Sequence, residues 1–484
     1  MESIRFTLNG RVIEERNASP TTTLLNYVRD HNLTGTKEGC AEGDCGACSV
    51  AVLDTEAQGG PQWRAVNSCL VLLPMLQGKT VVTVEGLQQQ GTPHPVQEAL
   101  VQELGSQCGY CTPGVIMSMF EACYRKDLKD PSWKLDDQMC GNLCRCTGYR
   151  PIRDAARKVA GTCPADGFTE LRSSAKAQTM ALDYSANAQR YFNPTTGGDL
   201  AALLAKHPDA RIMCGGTDLS LEITKKFKEF PLTISVEGIA ELHAVTRTQT
   251  GVKFGAAVKL SDVEALSETD FPPLHRMLRY FASRQIKNRA TLGGNICNAS
   301  PIGDTAPVLM SLGASVVLQS VRGQRTVPLD KFFLAYRKTE RQPDEFLHSV
   351  DVPFIAADAR ASAYKVSKRR ELDISAVAAG FLVRLDVKSV VTEARLCFGG
   401  MAATTARALK TEAALIGKPW TEASVNAALE LLKDDFSPLS DHRASAWYRA
   451  TVAGNLLRGF VLETQDNRLP MLPTRPSSTI PLSE

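Results

Sequence analysis

Hydrophobic and polar positions change their spacing from one part of the chain to the next. Over residues 4–16 they alternate on both sides of Asn9 and Gly10, a pair suited to the positive φ angles of a type I′ turn, so a β-hairpin is predicted. Apolar residues at helical spacing follow over 21–32, behind a capping region rich in Ser and Thr, and later stretches alternate again. This order predicts a small α+β domain over residues 1–87.

The spacing becomes helical between residues 96 and 161. Three stretches place apolar residues three and four positions apart, and the last begins with Pro151, where a first-turn proline belongs. These stretches predict a helical bundle over 88–163. The segment 164–188 lacks a clear period and is predicted to be a linker. Helical and strand patterns then alternate, which predicts two further α+β domains, at 189–358 and 359–473.

Composition narrows the class of protein. The 484 residues are too many for one hydrophobic core, which agrees with several domains. The hydrophobic share of 43% is typical of globular proteins, and the net charge of +3 is too small for a nucleic-acid-binding surface. No apolar run approaches the roughly 18 residues of a membrane span, and the first residues do not resemble a secretion signal. A cytoplasmic protein without membrane contact is therefore expected.

The cysteines give the first indication of chemistry, because eleven of the fourteen lie within the first 163 residues. Cys40, Cys45 and Cys48 have C-x4-C-x2-C spacing, and Cys69 follows 21 residues later, which matches the plant-type [2Fe–2S] pattern. Three thiolates on one tight loop can surround one side of a compact cluster, while the fourth comes from a separate segment. A zinc site is the alternative, but zinc sites favour C-x2-C pairs.

A second group of cysteines lies in the helical region. Cys108 and Cys111 are spaced C-x2-C, and Cys144 and Cys146 are spaced C-x-C, with helical sequence between the pairs. From the spacing alone, zinc remains open. The short C-x-C span and the neighbouring glycines favour an iron–sulfur cluster held between helix ends. The other three cysteines of this region match no ligand position and are predicted to be structural.

The Rossmann fingerprint is absent, because the chain contains no G-x-G sequence, and the P-loop sequence is absent as well. Two glycine-rich turns, at 214–218 and 293–295, offer consecutive backbone N–H groups that can form an anion-binding nest. Either turn alone is more often a tight loop than a phosphate site.

Two long motifs make the helical region recognisable. The sequences QCGYCTPGVIMSMF and GNLCRCTGYRPI, at 107–120 and 141–152, closely resemble the second-cluster domain of the xanthine dehydrogenase/aldehyde oxidase family of molybdenum hydroxylases. The resemblance implies a multidomain α+β fold with a plant-type ferredoxin β-grasp domain, a four-helix [2Fe–2S] bundle and a PCMH-type FAD domain with a C-terminal α+β subdomain. It also implies that Gln107 approaches the molybdenum cofactor; the alternative is an ordinary loop hydrogen bond.

The two glycine-rich turns resemble the FAD-binding segments of the same family. The resemblance implies that the glycines and Thr217 lie at the phosphates, Asp304 at the adenosine end and Phe281 near the flavin. The implied FAD-binding residues are Ile212, Met213, Cys214, Gly215, Gly216, Thr217, Asp218, Leu219, Phe281, Thr291, Gly294, Asn295, Asn298, Asp304, Leu347 and Lys365.

Two further segments, at 332–339 and 365–375, resemble those that lie beside the flavin, where NAD approaches in the dehydrogenases of the family. The basic residues at 368–370 would attract the NAD phosphates; the alternative is a solvated basic edge. At Leu372 several relatives carry an acidic residue, so the sequence departs from the family here.

The resemblance also implies a function and a partner. The family's molybdopterin domain would follow the flavin domain, so a separate, larger molybdopterin-binding subunit is expected, in a heterotetramer of two small and two large chains. Electrons from the oxidation of hypoxanthine and xanthine to urate would pass through two [2Fe–2S] clusters to FAD and then to NAD, and no catalytic side chain is expected in this chain. The alternatives are an aldehyde or N-heterocycle hydroxylase, a stand-alone flavin/iron–sulfur reductase and a zinc-bound interaction protein.

Overall fold

The computed structural model of the protein describes residues 2–89, 91–128, 133–177 and 180–465. The N-terminal domain is a five-stranded sheet with strand order β2-β1-β5-β3-β4 and one helix packed on it. The predicted hairpin is present, with Asn9 and Gly10 at φ angles of 50° and 78°. The elements are β1 (Ile4–Leu8), β2 (Arg11–Glu15), α1 (Leu24–Asp30), β3 (Ser49–Asp54), β4 (Gln62–Asn67) and β5 (Thr80–Val82).

A helical bundle follows the first sheet. Its central helix, α3, is buried along nearly its whole length, because it is apolar on all sides and lies between the other helices and strands β3 and β4 of the first sheet. Phe120 on α3 packs edge-on against Trp63 of β4, which joins the bundle to the first domain. The helices are α2 (Pro95–Gln102), α3 (Thr112–Tyr124), α4 (Trp133–Met139) and α5 (Arg150–Val159).

The segment 164–188, expected to be a linker, contains regular structure instead. Helix α6 (Gly167–Ser174) is capped by Asp166, and strand β6 (Leu182–Ala186) pairs with the next strand of the chain. Phe168 is buried against Phe120 and Trp63, and the Trp63 indole donates to the Phe168 carbonyl oxygen at 3.0 Å. One buried aromatic residue therefore fixes a helix that shows no periodicity in the sequence.

The flavin domain expected from the sequence contains two sheets and a set of short helices. The first sheet has strand order β6-β7-β9-β8 and the second, which is antiparallel throughout, has the order β10-β11-β16-β12-β13. The strands are β7 (Gln189–Asn193), β8 (Arg211–Met213), β9 (Leu232–Ser235), β10 (Val245–Arg247), β11 (Gly251–Gly255), β12 (Ser315–Ser320), β13 (Gly323–Pro328), β14 (Phe333–Ala335), β15 (Lys338–Thr339) and β16 (Phe346–Pro353). The helices are α7 (Gly197–Lys206), α8 (Ser220–Thr224), α9 (Leu260–Asp270), α10 (Pro272–Leu278), α11 (Arg284–Lys287), α12 (Leu292–Cys297), α13 (Thr305–Ser311) and α14 (Leu329–Phe332).

The C-terminal domain is a four-stranded antiparallel sheet with helices packed on it around Phe381, Phe398 and Phe460. The other face meets α13, where Gly380 lets the helix backbone approach, since a Cβ there would lie 2.5 Å from the Pro307 carbonyl oxygen. The elements are β17 (Ala359–Val366), β18 (Val377–Leu385), β19 (Val391–Gly399), β20 (Ala406–Arg407), α15 (Leu409–Leu415), α16 (Glu422–Leu429), α17 (Leu432–Asp435) and α18 (Ala446–Thr464). The expected domain end at 473 lies outside the described residues. The multidomain α+β organisation is confirmed.

Candidate functional site

The first cysteine group lies where two segments of the N-terminal domain meet. Cys40, Cys45 and Cys48 lie on the loop between α1 and β3, and Cys69 lies in the 3-10 turn Ser68–Leu70 that follows β4. The thiols form two pairs: Cys48 Sγ is 3.4 Å from Cys69 Sγ, and Cys40 lies beside Cys45. The fold thus brings together the four thiols that the spacing assigned to one cluster.

The loop backbone favours a negatively charged sulfur. The N–H groups of Cys45 and Glu42 point at Cys40 Sγ over 3.3 and 3.5 Å. The neighbouring Cys45 thiol and these N–H groups lower the pKa of Cys40 to about 5 against the effect of burial. Gly43 and Gly46 have φ angles of 85° and 71°, which the tight loop requires. Four paired thiols and backbone donors directed at sulfur fit a plant-type [2Fe–2S] cluster.

The second cysteine group lies at helix ends of the bundle. Cys108 and Cys111 precede α3, and Cys144 and Cys146 lie in the turn before α5. Cys108 lies beside Cys146 and Cys111 beside Cys144, so these four thiols also form two pairs. Cys108 and Cys146 are exposed and Cys144 is buried, which places one side of this site at the protein surface.

Polar groups surround the second site. The backbone N–H of Cys144 donates to the Tyr149 hydroxyl at 2.9 Å, and the Thr147 hydroxyl lies 3.1 Å from Cys144 Sγ. Gln107 is exposed next to Cys108. The paired thiols and the hydroxyl neighbours fit a second [2Fe–2S] cluster. Gln107 lies on the exposed edge of this site.

The other three cysteines of the region have different surroundings. Cys123 is buried in α3 with its Sγ 3.2 Å from the Thr162 hydroxyl, and Cys140 donates to the Asp137 carbonyl oxygen. The backbone N–H of Cys163 donates to the Cys123 carbonyl oxygen. Within the described ranges, no three His, Cys, Asp or Glu side chains have the geometry for a single metal ion.

The flavin-domain residues singled out in the sequence surround a cavity of about 870 Å³. This volume falls within the range of cofactor pockets in proteins. The predicted residues that line it are Ile212, Met213, Cys214, Gly216, Thr217, Asp218, Leu219, Phe281, Thr291, Gly294, Asn295, Asn298, Asp304, Leu347 and Lys365. Gly215 is the one predicted FAD residue that does not line the cavity.

Gly215 and Gly216 form a turn with φ angles of 69° and 75°, a conformation that strongly favours glycine. A Cβ on Gly215 would overlap the Arg289 carbonyl oxygen, and a Cβ on Gly216 would lie 2.9 Å from the Leu70 carbonyl oxygen. Gly215 therefore lets the turn pack closely against Arg289, while Gly216 lines the cavity. The size of the cavity and the glycine turn fit an FAD.

The far side of the cavity is held by a buried ion pair. Lys365 Nζ lies 2.7 Å from Asp304 Oδ2, and the Ser375 hydroxyl donates to Asp304 Oδ1 at 2.6 Å. Nearby, the Thr291 hydroxyl accepts the Gly294 N–H at 3.1 Å and so caps α12. Both carboxylate oxygens of Asp304 thus have partners in the protein, which fixes this wall of the cavity.

The segment with the basic residues 368–370 runs along the cavity rim. Leu372, Asp373 and Ile374 line the cavity, whereas the three basic residues are exposed. Leu372 has a φ of 54°, and its carbonyl oxygen accepts a 2.6 Å hydrogen bond from the Arg369 guanidinium. The rim therefore presents three basic side chains to solvent, and Arg369 and Arg370 also lie 3.9 and 3.5 Å from carboxylates of the same segment.

The cavity directly adjoins the first cysteine site. The Ser220 hydroxyl of α8 donates to the Leu70 carbonyl oxygen at 2.9 Å, one residue from Cys69. Asp44 of the cysteine loop lines the cavity, and so does Ile286, which packs in one apolar cluster with Cys48 and Cys69. Sequence spacing could not indicate these contacts, because they join residues from different domains.

A buried carboxylate ties the FAD turn to the N-terminal domain. Glu237 accepts the Gly215 N–H at 2.8 Å and pairs with Lys79 at 2.9 Å and Arg289 at 2.5 Å. Burial disfavours its ionisation, but the charges of Arg289 and Lys79 outweigh burial and hold the Glu237 pKa well below its usual range. No motif or spacing in the sequence indicates a role for this residue.

Fold and site together define a multidomain protein with two [2Fe–2S]-binding domains and one FAD-binding domain. Four sequence families match the chain in this order: the 2Fe-2S iron-sulfur cluster binding domain (6–73), the [2Fe-2S] binding domain (83–157), the FAD binding domain in molybdopterin dehydrogenase (184–355) and the CO dehydrogenase flavoprotein C-terminal domain (362–464). The chain belongs to the molybdenum hydroxylase family, as its iron–sulfur and flavin part. The resemblance inferred from the motifs is thereby confirmed.

Two curated relatives show how much of a family member the chain represents. It is 35% identical to xanthine dehydrogenase/oxidase of Gallus gallus, over 90% of this chain and 38% of that protein. It is 33% identical to xanthine dehydrogenase of Emericella nidulans, over 90% of this chain and 36% of that protein. The chain thus spans little more than a third of the length of these relatives.

Solved structures resemble part of the chain. The carbon monoxide dehydrogenase of Hydrogenophaga pseudoflava has a chain that is 28% identical with a TM-score of 0.53, covering 56% of this chain and 94% of that one. A chain of quinoline 2-oxidoreductase from Pseudomonas putida 86 shares the fold at 23% identity and a TM-score of 0.52, covering 56% and 95%. The PCMH-type flavin fold expected from the sequence is confirmed. None of the helices in the described part of the chain has both the length and the apolar character of a membrane span.

Proposed function

We propose that this chain is the electron-transfer subunit of a xanthine dehydrogenase. In this proposal a larger molybdopterin-binding partner oxidises hypoxanthine and xanthine to urate, and the electrons pass through two [2Fe–2S] clusters to FAD and then to NAD. The observation that carries the proposal is the order of the sites. The second cysteine site has two exposed cysteines, the first has two half-buried and two buried cysteines, and the first adjoins the flavin cavity.

The residues of the chain have distinct roles in this proposal. Cys108, Cys111, Cys144 and Cys146 hold the cluster at the partner surface, and the four cysteines from 40 to 69 hold the cluster beside the flavin. The residues lining the cavity hold the FAD. The bound groups supply the redox chemistry, while the protein orients them and sets their surroundings.

The partner is proposed to cover the exposed edge of the second cysteine site. Tyr110 and Tyr149 are 49% and 44% exposed beside Cys108 and Cys146, so aromatic surface and ligand sulfur are presented together. Gln107 lies on the same edge and is proposed to approach the molybdenum cofactor. The assembly is proposed to contain two chains of each kind.

NAD is proposed to bind at the basic rim of the flavin cavity. Arg369 and its two basic neighbours give this rim a positive charge that suits the NAD phosphates. A reducing, cytoplasmic location is part of the proposal, because eight cysteines are proposed to bind the clusters as thiolates.

The test uses the complex purified with its native partner. The complex should contain molybdenum, iron and FAD, and should form urate and NADH from xanthine and NAD. R369Q should raise the KM for NAD and leave the reduction of the flavin by xanthine unchanged. The matched control is K433Q, on an exposed lysine of α17 that pairs with the exposed Glu430.

Other outcomes would select the alternatives. Turnover of an aldehyde or an N-heterocycle, but not of xanthine, would support the electron-transfer role and contradict xanthine as the substrate. A chain that purifies without molybdenum and oxidises NADH alone would reject the partner and favour a stand-alone reductase. An equal effect of R369Q and K433Q on the KM for NAD would reject the proposed rim.

A further inference from the structure

A chain of buried amide groups crosses all three cofactor-binding domains where the two cysteine sites meet. The Gln285 amide of α11 donates to Asn142 Oδ1 and to Ser118 Oγ, both at 2.9 Å. The Asn142 amide then donates to the Gly46 carbonyl oxygen at 3.2 Å. Gln285 belongs to the flavin domain, Asn142 and Ser118 to the bundle, and Gly46 to the loop of the first cysteine site.

These groups are sealed from water. Gln285, Ser118 and Asn142 are 1%, 0% and 4% exposed. Because a buried amide that loses its partner is left without a hydrogen bond to water, these hydrogen bonds hold the three segments in one arrangement. This series of buried hydrogen bonds is therefore a rigid connection, unlike a surface contact that water could replace.

The backbones of the two cysteine sites touch beside this amide chain. The N–H of Leu143 donates to the Cys45 carbonyl oxygen at 3.0 Å, so a ligand of the first site contacts the neighbour of Cys144, a ligand of the second. Gly46 packs against Gly141, and a Cβ on Gly46 would overlap the Gly141 carbonyl oxygen. Side chains larger than glycine would push the two sites apart.

Asn142 and Gln285 touch the segments that carry the ligand thiols, and they donate hydrogen bonds to backbone, amide and hydroxyl oxygens rather than to sulfur. Their effect therefore acts on the placement of the two loops. We propose that Asn142 and Gln285 are positioning residues that fix the separation and orientation of the two [2Fe–2S] clusters. This inference rests on the proposed function, because it requires both clusters.

The experiment compares N142A and Q285A with the wild-type chain, in complex with its partner. Iron, sulfide and FAD are measured first, and the reduced proteins are then examined by electron paramagnetic resonance at low temperature. Magnetic interaction between two reduced clusters splits their signals and falls steeply with their separation. The wild type should show the splitting, and both variants should lose or strongly broaden it while they retain iron and sulfide.

Asn288 provides the matched control, because it follows the same short helix as Gln285 and is equally buried. It is the residue that caps the C-terminal end of α11, and it is 1% exposed. Its side chain donates two buried hydrogen bonds, to the Ala65 carbonyl oxygen at 2.9 Å and to Glu121 at 2.8 Å. Neither of these bonds reaches a cysteine loop. N288A should therefore retain the splitting, whatever stability it loses.

Four outcomes would overturn the inference. The first is a wild type that holds both clusters but shows no splitting, and the second is an unchanged splitting in N142A and Q285A. The third is an equal loss of splitting in N288A. The fourth is a failure of both variants to hold iron, because the residues would then be necessary for cluster assembly. A wild-type protein without iron would instead reject the proposed function itself, so the two failures are distinguishable.

Discussion

Replacing Glu237 by alanine tests the idea that a buried charge network holds the FAD turn against the N-terminal domain. Glu237 is 8% exposed and is the shared partner of Lys79, Arg289 and the Gly215 N–H. E237A would leave the buried Arg289, the partly buried Lys79 and one buried N–H without this acceptor. Breaking a buried ion pair in this way costs about 3–5 kcal/mol. That is a factor of roughly 10² to 10⁴ in the folded population.

The denaturation midpoint in urea is measured at neutral pH by far-UV circular dichroism. The FAD content of each protein is determined in parallel. E237A should shift the denaturation midpoint strongly downward and bind less FAD. E237Q keeps an acceptor for the Gly215 N–H but loses the charge, so its loss should be smaller.

The matched control is D183N, which removes the carboxylate of an exposed pair with Arg190. Both side chains of that pair are 47% exposed, and exposed pairs contribute about 0–1 kcal/mol. An E237A protein with wild-type midpoint and FAD content would refute the reasoning. So would a loss in D183N as large as that in E237A.

Three further predictions follow from the site and its surroundings. C144S should lose the iron and sulfide of one cluster while C123S retains both clusters, as measured by metal and sulfide analysis. G216V should greatly reduce FAD content, because its side chain would collide with the Leu70 carbonyl oxygen, and flavin release on denaturation measures this. Burial opposes ionisation of Asp54, but the charges of Lys259 and Arg64 hold its pKa well below its usual range. The stability that the Asp54 carboxylate contributes is therefore present above about pH 4 and is lost as the pH falls further. Below about pH 4, denaturation midpoints should therefore fall less steeply with falling pH in D54N than in the wild type.

Local patterns predicted much of the fold. Asn9 and Gly10 specify the first turn through their own backbone preferences, and Pro151 marks the start of α5 for the same reason. Helices α4 and α6 escaped prediction because few apolar residues identify them. Leu135 and Phe168 are the buried hydrophobic residues of these two helices in the described part of the chain, and one such residue makes no period.

Some residues of the candidate site could likewise be predicted from short segments of sequence, and others could not. The spacing of the first cysteine group predicts a cluster by itself, whereas the second group and the glycine turns are predicted through the resemblance of short motifs to the family. Glu237 could not be predicted, because its role arises from Lys79, which lies 158 positions away in the sequence. Ile286 and Gln285 gain their roles only where α11 meets the other two domains.

The most direct test of the account is the cofactor content of the chain purified under conditions that exclude oxygen. Iron, acid-labile sulfide, zinc and flavin are measured together with the visible absorption spectrum. We expect iron and sulfide equivalent to two [2Fe–2S] clusters, together with one FAD per chain. Zinc in place of iron, or a colourless protein without flavin, would contradict it.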